Sequence, residues 1–470
     1  MSEVKVAIPL HGKMAARAFH PPSFRQCLME DGFKPLYFLS PHYFQPFELD
    51  PAQYFELQTQ IYDEDYIKSF LLQQLRMLRR FVVVTDTTDL RFRETIENKL
   101  FDASLLGMAA QMTLVSSLRN IPGMGELLAG LEKKLFVTHA HDQQLKEQKV
   151  DCVLTPGMGN FNFWNEGNFA LEAQRLGIPA FAAITNYDNI VNMGYRSFDP
   201  ACLGVWSKQM ADEAIRLHRY PASNLEITGA VQYDRFIQPL TITRDEFLQS
   251  IHLDPTKKTI FFAGGVNINH YFEIYRLFVQ EKNRVWKEEF NFIVRPQPHA
   301  KLLDSPGWKV MENLFGQAGV YVSNPGSIDA SGDRINELRL DLGLDEGPDE
   351  LKYLLQYSDV LINIFSTIGL EAAICDLPTI HVGYDAYTFG MKFGVTTGFQ
   401  QRMTHNQRSL RLKASKVSKS EKELLEHIEL YLSDRSVDRE ARREYAVSEC
   451  GELDGMATSR LIEMVRSRLH

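Results

Sequence analysis

Residues 358–383 read SDVLINIFSTIGLEAAICDLPTIHVG, and this stretch constrains the fold more than any other in the chain. Its apolar run at 360–365 has the length and β-branched content of a buried strand. Ser366 and Thr367 follow at once. They are residue types that cap a helix N-terminus, and Leu370, Ala373 and Ile374 supply an apolar helix face behind them. Asp376, Leu377 and Pro378 end that helix, and 379–382 is the next strand. A strand–helix–strand unit of this kind belongs to a parallel sheet. It predicts a helix N-terminus at the carboxyl end of a strand, where free N–H groups and the helix dipole favour phosphate. Glu371, one turn past Thr367, has a carboxylate able to accept hydrogen bonds from a pair of sugar hydroxyls. The plainer reading is a capped core helix with a solvated Glu, and both stand at this point.

A chain of 470 residues is too long for one core, which predicts two or three domains. A hydrophobic fraction of 44% and a charged fraction of 24% are those of a globular protein. A net charge of −9 argues against a broad nucleic-acid-binding face. The five cysteines (Cys27, Cys152, Cys202, Cys375, Cys450) form no CxxC pair, so buried free thiols in a reducing cytosol are expected, not a disulfide scaffold or a zinc site. The opening MSEVKVAIPL runs straight into a strand pattern with no secretory leader, and no run of about 18 apolar residues is present to span a membrane. A cytoplasmic location is therefore expected. Contact with the inner face of the plasma membrane stays open through the basic stretch Arg402, Arg408, Arg411, Lys413, Lys416 and Lys419, which reads equally as a solvated loop.

Taken in order, the chain alternates strands and helices. A strand at 4–10, a polar turn at His11-Gly12-Lys13, a helix over 22–31 and a strand at 35–39 make the usual opening of a doubly wound domain. Residues 63–148 carry long helical patterns, with a strand signal only at 81–85, and are read as a helical insertion. His139, His141 and Asp142 in it are assigned to a solvated helix face, not to a metal. A strand at 150–155 leads into the loop Pro156-Gly157-Met158-Gly159-Asn160, a helix over 166–176 follows, and a strand at 178–184 leads into Thr185-Asn186-Tyr187-Asp188-Asn189. Glu166 and Asp188 thus follow adjacent strands on the ligand side. After a linker at 235–258, a second α/β domain begins with a strand at 259–263 that ends in Gly264-Gly265, then a helix over 271–289 and a strand at 290–294 running into Arg295-Pro296-Gln297-Pro298-His299. The reading past Tyr384 is loop-rich, closing with helices at 420–432 and 456–469.

At this point the chain resembles the GT-B glycosyltransferases, and within them the bacterial capsule and surface-carbohydrate transferases related to CDP-glycerol glycerophosphotransferases. Four stretches carry the resemblance: NYDNIVNMGYRSFDPACLGVWS with ITGAVQYDRF, then IVRPQPH, then the 358–383 unit with its following Tyr384 and Asp385, then ELDGMATSRLIEMVRSRL. The resemblance implies two Rossmann-like doubly wound domains facing a cleft. Residues 1–235 would be the acceptor side and 236–440 the nucleotide-donor side, with 441–470 packing back on the first domain. It implies that Gly264 and Gly265 let the backbone approach the donor phosphates, that Arg295 and His299 neutralise them, that Ser366 and Thr367 hold phosphate, and that Glu371 binds ribose hydroxyls. The Pro298 before His299 and the Ala300 after it depart from the related basic–His–Pro element.

Transfer from a nucleotide-activated donor needs charge stabilisation on the leaving phosphate and a base for the acceptor hydroxyl. Glu166, Asp188 and His11 are the candidates for that base, with Asp188 reading equally as an Asx-turn residue. No metal is implied, since no Asp-x-Asp stands at a strand end. The expected substrates are a UDP-, CDP- or CMP-linked sugar or CDP-glycerol and a glycan or lipid-linked acceptor. The rivals are a non-hydrolysing UDP-sugar 2-epimerase and a non-catalytic protein on the same scaffold.

Overall fold

The computed structural model describes residues 3–40, 52–58, 66–99, 113–119, 121–265, 267–282, 289–297, 300–323, 350–384 and 397–469. The chain divides into two compact units, the first built from Met1–Ile237 with Val447–His470 and the second from Gln238–Glu337 with Gly347–Ala446.

The first unit is organised on a parallel sheet of seven strands: β1 (Val4–Leu10), β2 (Phe33–Leu39), β3 (Tyr54–Glu56), β4 (Cys152–Pro156), β5 (Ala180–Ala183), β6 (Leu203–Val205) and β7 (Leu225–Ile227). Their order is β3-β2-β1-β4-β5-β6-β7, every pairing parallel. The central strands β1, β4 and β5 read as near-continuous apolar runs because helices cover both faces of such a sheet. The chain winds outward from β1 through β2 to β3, then returns to the other side of β1 at β4. That reversal makes a topological switch point, and ligand crevices form there beyond the carboxyl ends of the strands.

The segment between β3 and β4 carries the helices Tyr66–Phe81, Asp86–Lys99, Met124–Leu135 and Asp142–Glu147. The strand signal at 81–85 is not realised. The first helix ends at Phe81, and Thr85 and Thr88 exchange hydrogen bonds between backbone N–H and hydroxyl (2.9 and 3.1 Å), a local motif that starts the next helix and outcompetes extension. The closing helix Ala457–Arg468 buries Leu461, Ile462 and Val465 in this unit. Its first turn is held by Asp234, whose carboxylate accepts the N–H groups of Ala457 (3.1 Å) and Thr458 (2.8 Å), a charge-assisted cap at the positive end of the dipole.

The second unit repeats the plan with β8 (Lys258–Ala263), β9 (Phe290–Arg295), β10 (Tyr321–Val322), β11 (Val360–Asn363), β12 (Thr379–Val382) and β13 (Lys416–Ser418). The order is β10-β9-β8-β11-β12-β13, again all parallel, with the switch point between β8 and β11. Ile260, Phe262, Val294, Val360, Ile362 and Ile380 form its core with Trp308, Met311 and Phe315 of the helix Pro306–Gln317. Each such side chain stabilises the fold by about 1.5–3 kcal/mol on burial.

Three sequence expectations are corrected here. The helix after Gly265 starts at Ile268, not near 271, because the Asn267 side chain caps it by accepting the Asn269 N–H (3.1 Å), and it passes into a π-helical turn at Arg276–Gln280. The part of the chain after Tyr384 read as loop holds helices Thr397–Gln401 and Thr404–Arg411 and strand β13. A helix at Arg439–Cys450, missed in the sequence, is anchored by buried Arg442, which pairs with Asp376 at 2.8 Å. All five cysteines are free thiols. Among the described residues no helix is long and apolar enough to cross a membrane, and no group of three or more His, Cys, Asp or Glu side chains is arranged to hold a metal.

Candidate functional site

In the first unit, His11 stands at the end of β1 and Glu166 in the first turn of the helix Trp164–Arg175 that follows β4, so the two straddle the switch point. The structure brings them together: the His11 backbone N–H donates to Glu166 Oε1 at 3.0 Å. Glu166 is fully buried, and its other oxygen has no hydrogen-bond partner among the described residues. Burial pushes its carboxyl up to about 8, against the opposing pull of its own backbone N–H and that of His11. At neutral pH the group is therefore a neutral acid, and it becomes a base only above that value.

The approach of loop to helix here depends on glycine. Gly159 sits at φ +63°, and a Cβ on Gly167 would lie 2.5 Å from the Gly159 Cα. Nothing larger fits between the Pro156–Asn160 loop and the helix start. Asp188, at the end of the β5 loop, is buried, and its Oδ2 accepts from Asn192 Nδ2 at 2.7 Å. Its carbonyl accepts the N–H groups of Val191 and Asn192, while Asn189 Oδ1 collects those of Thr185 and Asn186. Asp188 is thus part of a turn stitched by side-chain amides. The inserted helices fasten on these loops through Arg79, whose guanidinium donates to the carbonyls of Gly159 (3.0 Å) and Tyr195 (2.6 Å) and pairs with Glu132. His141 is buried against Glu172 at 2.8 Å, and His139 lies exposed beside Asp142.

In the second unit the groups named from the sequence gather at the carboxyl ends of β8, β9 and β11. Gly264 is required by packing: its Cβ would fall 2.5 Å from the Tyr271 ring. Fully buried Tyr271 donates its hydroxyl hydrogen to the Gly265 carbonyl (3.0 Å) and accepts the Gln297 N–H (3.2 Å), tying the β8 and β9 loops into one surface. Among the described residues, nothing lies nearer to a Cβ on Gly265 than Gln297 Oε1 at 4.0 Å. Arg295, half-buried at the end of β9, is held by Ser323 Oγ (2.6 Å) and the Glu350 carboxylate (3.1 Å). His299 lies outside the described residues.

The turn after β11 differs from the sequence expectation. Thr367 occupies the N-cap of the helix Ile368–Ile374 in a helical conformation, and its side chain makes no capping bond. Phe365 takes φ +44°, a left-handed conformation that reverses the chain. Ser366 then turns its N–H (3.2 Å) and hydroxyl (3.3 Å) back to Asn363 Oδ1. The Ser366 side chain is consequently committed to the strand end, while Ser366 as a residue stays exposed. Asn363 is wholly buried, and its Nδ2 has no partner among the described residues. Beside it on β12 lies His381, stacked on Phe365 with ring centroids 4.3 Å apart and rings 13° from parallel. A Cβ on Gly369 would sit 3.2 Å from the His381 ring, so the helix start is pressed onto this imidazole. Burial lowers the His381 pKa to about 3 and keeps the ring neutral. Glu371 projects from the same short helix, half-buried. Asn363 and His381 were missed by sequence reasoning. Their only signal was a polar residue interrupting each of two otherwise apolar strands.

Compared with known proteins, no family model matches the chain, and no curated protein matches it in sequence. Solved structures do match in fold over its whole length. The crystal structure of UDP-GlcNAc 2-epimerase from Neisseria meningitidis bound to UDP-GlcNAc aligns with TM-score 0.52 at 12% identity, covering 99% of this chain and 100% of that one. The UDP-GlcNAc 2-epimerase of Methanocaldococcus jannaschii aligns with TM-score 0.53 at 12% identity over 99% and 100%. A glycosyltransferase from Rickettsia africae aligns with TM-score 0.50 at 9% identity over 100% and 99%. These likenesses concern the fold: two parallel-sheet α/β units of the GT-B class.

Proposed function

We propose that this protein is an enzyme acting on a nucleotide-activated sugar, and that it transfers the sugar, or a glycerol-phosphate unit, to a glycan or lipid-linked acceptor. The observation that carries this reading is the convergence at the β8/β11 switch point. There, the loop after Gly264 and the turn at Ser366 end adjacent strands, with Arg295 on the strand beyond and Glu371 one turn into the helix. Convergent polar groups at such a point are the usual make-up of a nucleotide site in an open α/β sheet. In this reading Gly265 and the N–H groups following Ser366 and Thr367 take the phosphates, Glu371 takes the ribose hydroxyls, and Arg295 and His299 offset the charge on the leaving phosphate. Binding to Arg295 then requires it to share itself between phosphate and Glu350. On the acceptor side His11 and Asp188 are the groups proposed to take the hydroxyl proton, with Glu166 setting the position of His11 through the bond to its backbone.

A second reading, epimerisation at C2 of a UDP-sugar, is favoured by one observation: structures described as UDP-GlcNAc 2-epimerases match the entire chain in fold. A thermal-shift series with UDP, CDP, CMP and GDP on the wild type and on Glu371→Ala tests the shared premise. A shift selective for one nucleotide and lost in the variant supports it, and no shift with any nucleotide removes it. Incubating the matching nucleotide-sugar in D2O without acceptor then separates the two readings. Deuterium entering C2 of the sugar indicates epimerisation, while donor turnover only when acceptor is added indicates transfer.

A further inference from the structure

We propose that the first unit carries an anion site at Arg80, on the last turn of the helix Tyr66–Phe81, built to take a phosphate ester group. Three arginines share that helix end, and two are committed. Arg76 pairs with Glu132 at 2.8 Å, and Arg79 with the same carboxylate at 3.0 Å as well as with two carbonyls. Arg80 has no such partner: its guanidinium makes no ion pair or hydrogen bond with a described residue, and its Nε is buried without an acceptor. What it has instead is an aromatic floor. Its Cζ lies 3.6 Å from the centre of the Phe161 ring, on the loop after β4, and Phe161 meets Trp164 edge to face at 5.5 Å.

This position is at the carboxyl end of the sheet. The Arg80 backbone touches the β5 loop so closely that a Cβ on Gly194 would lie 2.3 Å from the Arg80 Cα, and Asn160 Nδ2 donates to the Gly194 carbonyl. Withdrawing a guanidinium from water without a counter-charge is costly, and a ring face returns only about 0.5–2 kcal/mol of it. The local charge makes this worse. Arg91 adds a second nearby cation, and the carboxylate nearest to offsetting it, Glu94, is engaged with Arg91 at 2.7 Å. Burial and Arg91 together pull the Arg80 pKa down to about 10. An arriving anion relieves both penalties. A guanidinium supported by a ring face still carries a planar fork of N–H donors, which matches two oxygens of a phosphate.

The source of the phosphate rests on the nucleotide-sugar reading: since that reading places the donor's phosphates in the second unit, the group taken at Arg80 is a phosphate on the acceptor. The test uses the intact chain. Phenylglyoxal, which attacks unpaired arginines, is applied with and without inorganic phosphate, and modified peptides are mapped by mass spectrometry. Arg80 should be modified readily, Arg79 hardly at all, and phosphate should slow modification of Arg80 by about tenfold while leaving exposed Arg411 unaffected. Equilibrium dialysis with labelled phosphate should show one saturable site lost in Arg80→Met and partly kept in Arg80→Lys. Unchanged modification of Arg80 in phosphate, or undiminished phosphate binding by Arg80→Met, overturns the site. Protection by inorganic phosphate and not by UDP assigns the acceptor's phosphate, and protection by UDP overturns that assignment. Protection of Arg80 with no nucleotide-induced thermal shift keeps the anion site while removing the nucleotide reading, so the two fail separately.

Discussion

Replacing Glu166 by glutamine should make the first unit more stable at neutral pH. The wild-type carboxyl is fully buried and titrates near 8, against 4.5 for the free group. Between these values the folded chain holds a proton that the unfolded chain releases. The sign follows from linkage: a raised folded pKa contributes stability that is fully present below pH 4.5 and lost as pH rises to about 8. Each pH unit in that window costs about 1.4 kcal/mol, so at pH 7 the wild type has lost about 3 kcal/mol relative to acid conditions. Glutamine has nearly the same shape, keeps the oxygen that accepts the His11 N–H, and does not titrate. Urea unfolding of both proteins from pH 5 to 8, followed by tryptophan fluorescence, should show curves that meet near pH 5 and diverge by about 1.4 kcal/mol per pH unit above it. Parallel curves would refute the reasoning, because they would mean that Glu166 is ionised or solvated in the folded chain. Turnover by the glutamine variant would further separate a positioning role from proton transfer, since only the latter needs an ionisable group.

Four other outcomes are expected. Gly167→Ala should destabilise the first unit by about 1–3 kcal/mol in the same unfolding assay, because the new methyl meets the Gly159 backbone and not a movable side chain. Asn363→Ala should free the Ser366 turn and weaken nucleotide binding about tenfold by calorimetry, with little change in affinity if the turn is rigid without it. His381, with a folded pKa near 3, binds its proton only in the unfolded chain. Stability should therefore fall by about 1.4 kcal/mol per pH unit as pH drops below 6.5, and His381→Phe should flatten that part of the profile. Glu350→Gln should release Arg295 and tighten nucleoside diphosphate binding up to about tenfold, measured by the same calorimetry at low salt.

The fold was legible wherever the chain buries a strand on both faces. The strand at 4–10 coincides with β1, because an apolar run of that length is a local signal that packing reinforces. Short edge elements were not legible: β3 has three residues, and only its pairing with β2 makes Tyr54–Glu56 a strand. Within the site, the sequence located the loops but not the wiring. Ser366 and Thr367 have the composition of a helix cap. What decides their geometry is Phe365 at positive φ and a buried amide three residues upstream, neither of which leaves a periodic pattern. Arg295 was visible as a cation at a strand end, but its partner Glu350 is 55 residues away, beyond any local motif. Arg80 was lost inside a helical pattern rich in arginine, where only the three-dimensional partners distinguish a committed guanidinium from an uncommitted one.

That distinction bears on how either unit can hold a charged ligand. Among the described residues, two cations near the strand-end loops are neutralised in place: Arg79, at its helix end, by Glu132, and Arg295, at the end of β9, by Glu350. Glu166 is uncharged at neutral pH, and Asp188 is turned to an asparagine amide. Among the described residues, the surfaces left are made of glycine backbone, turn N–H groups and side-chain amides. Such a surface suits hydroxyl-rich and phosphate-bearing ligands, since its dipoles are fixed before the ligand arrives and need no reorganisation. It also keeps resting charge low, so a diphosphate gains from Arg295 only by competing with Glu350. Binding through exchange of ion-pair partners gives a smaller net gain than binding to a free guanidinium, because the Glu350 carboxylate must be resolvated in the process. Affinity for the nucleotide should then depend weakly on salt, and affinity for an anion at Arg80 strongly. The two salt slopes, measured on one protein preparation, distinguish a site that trades partners from one that was open.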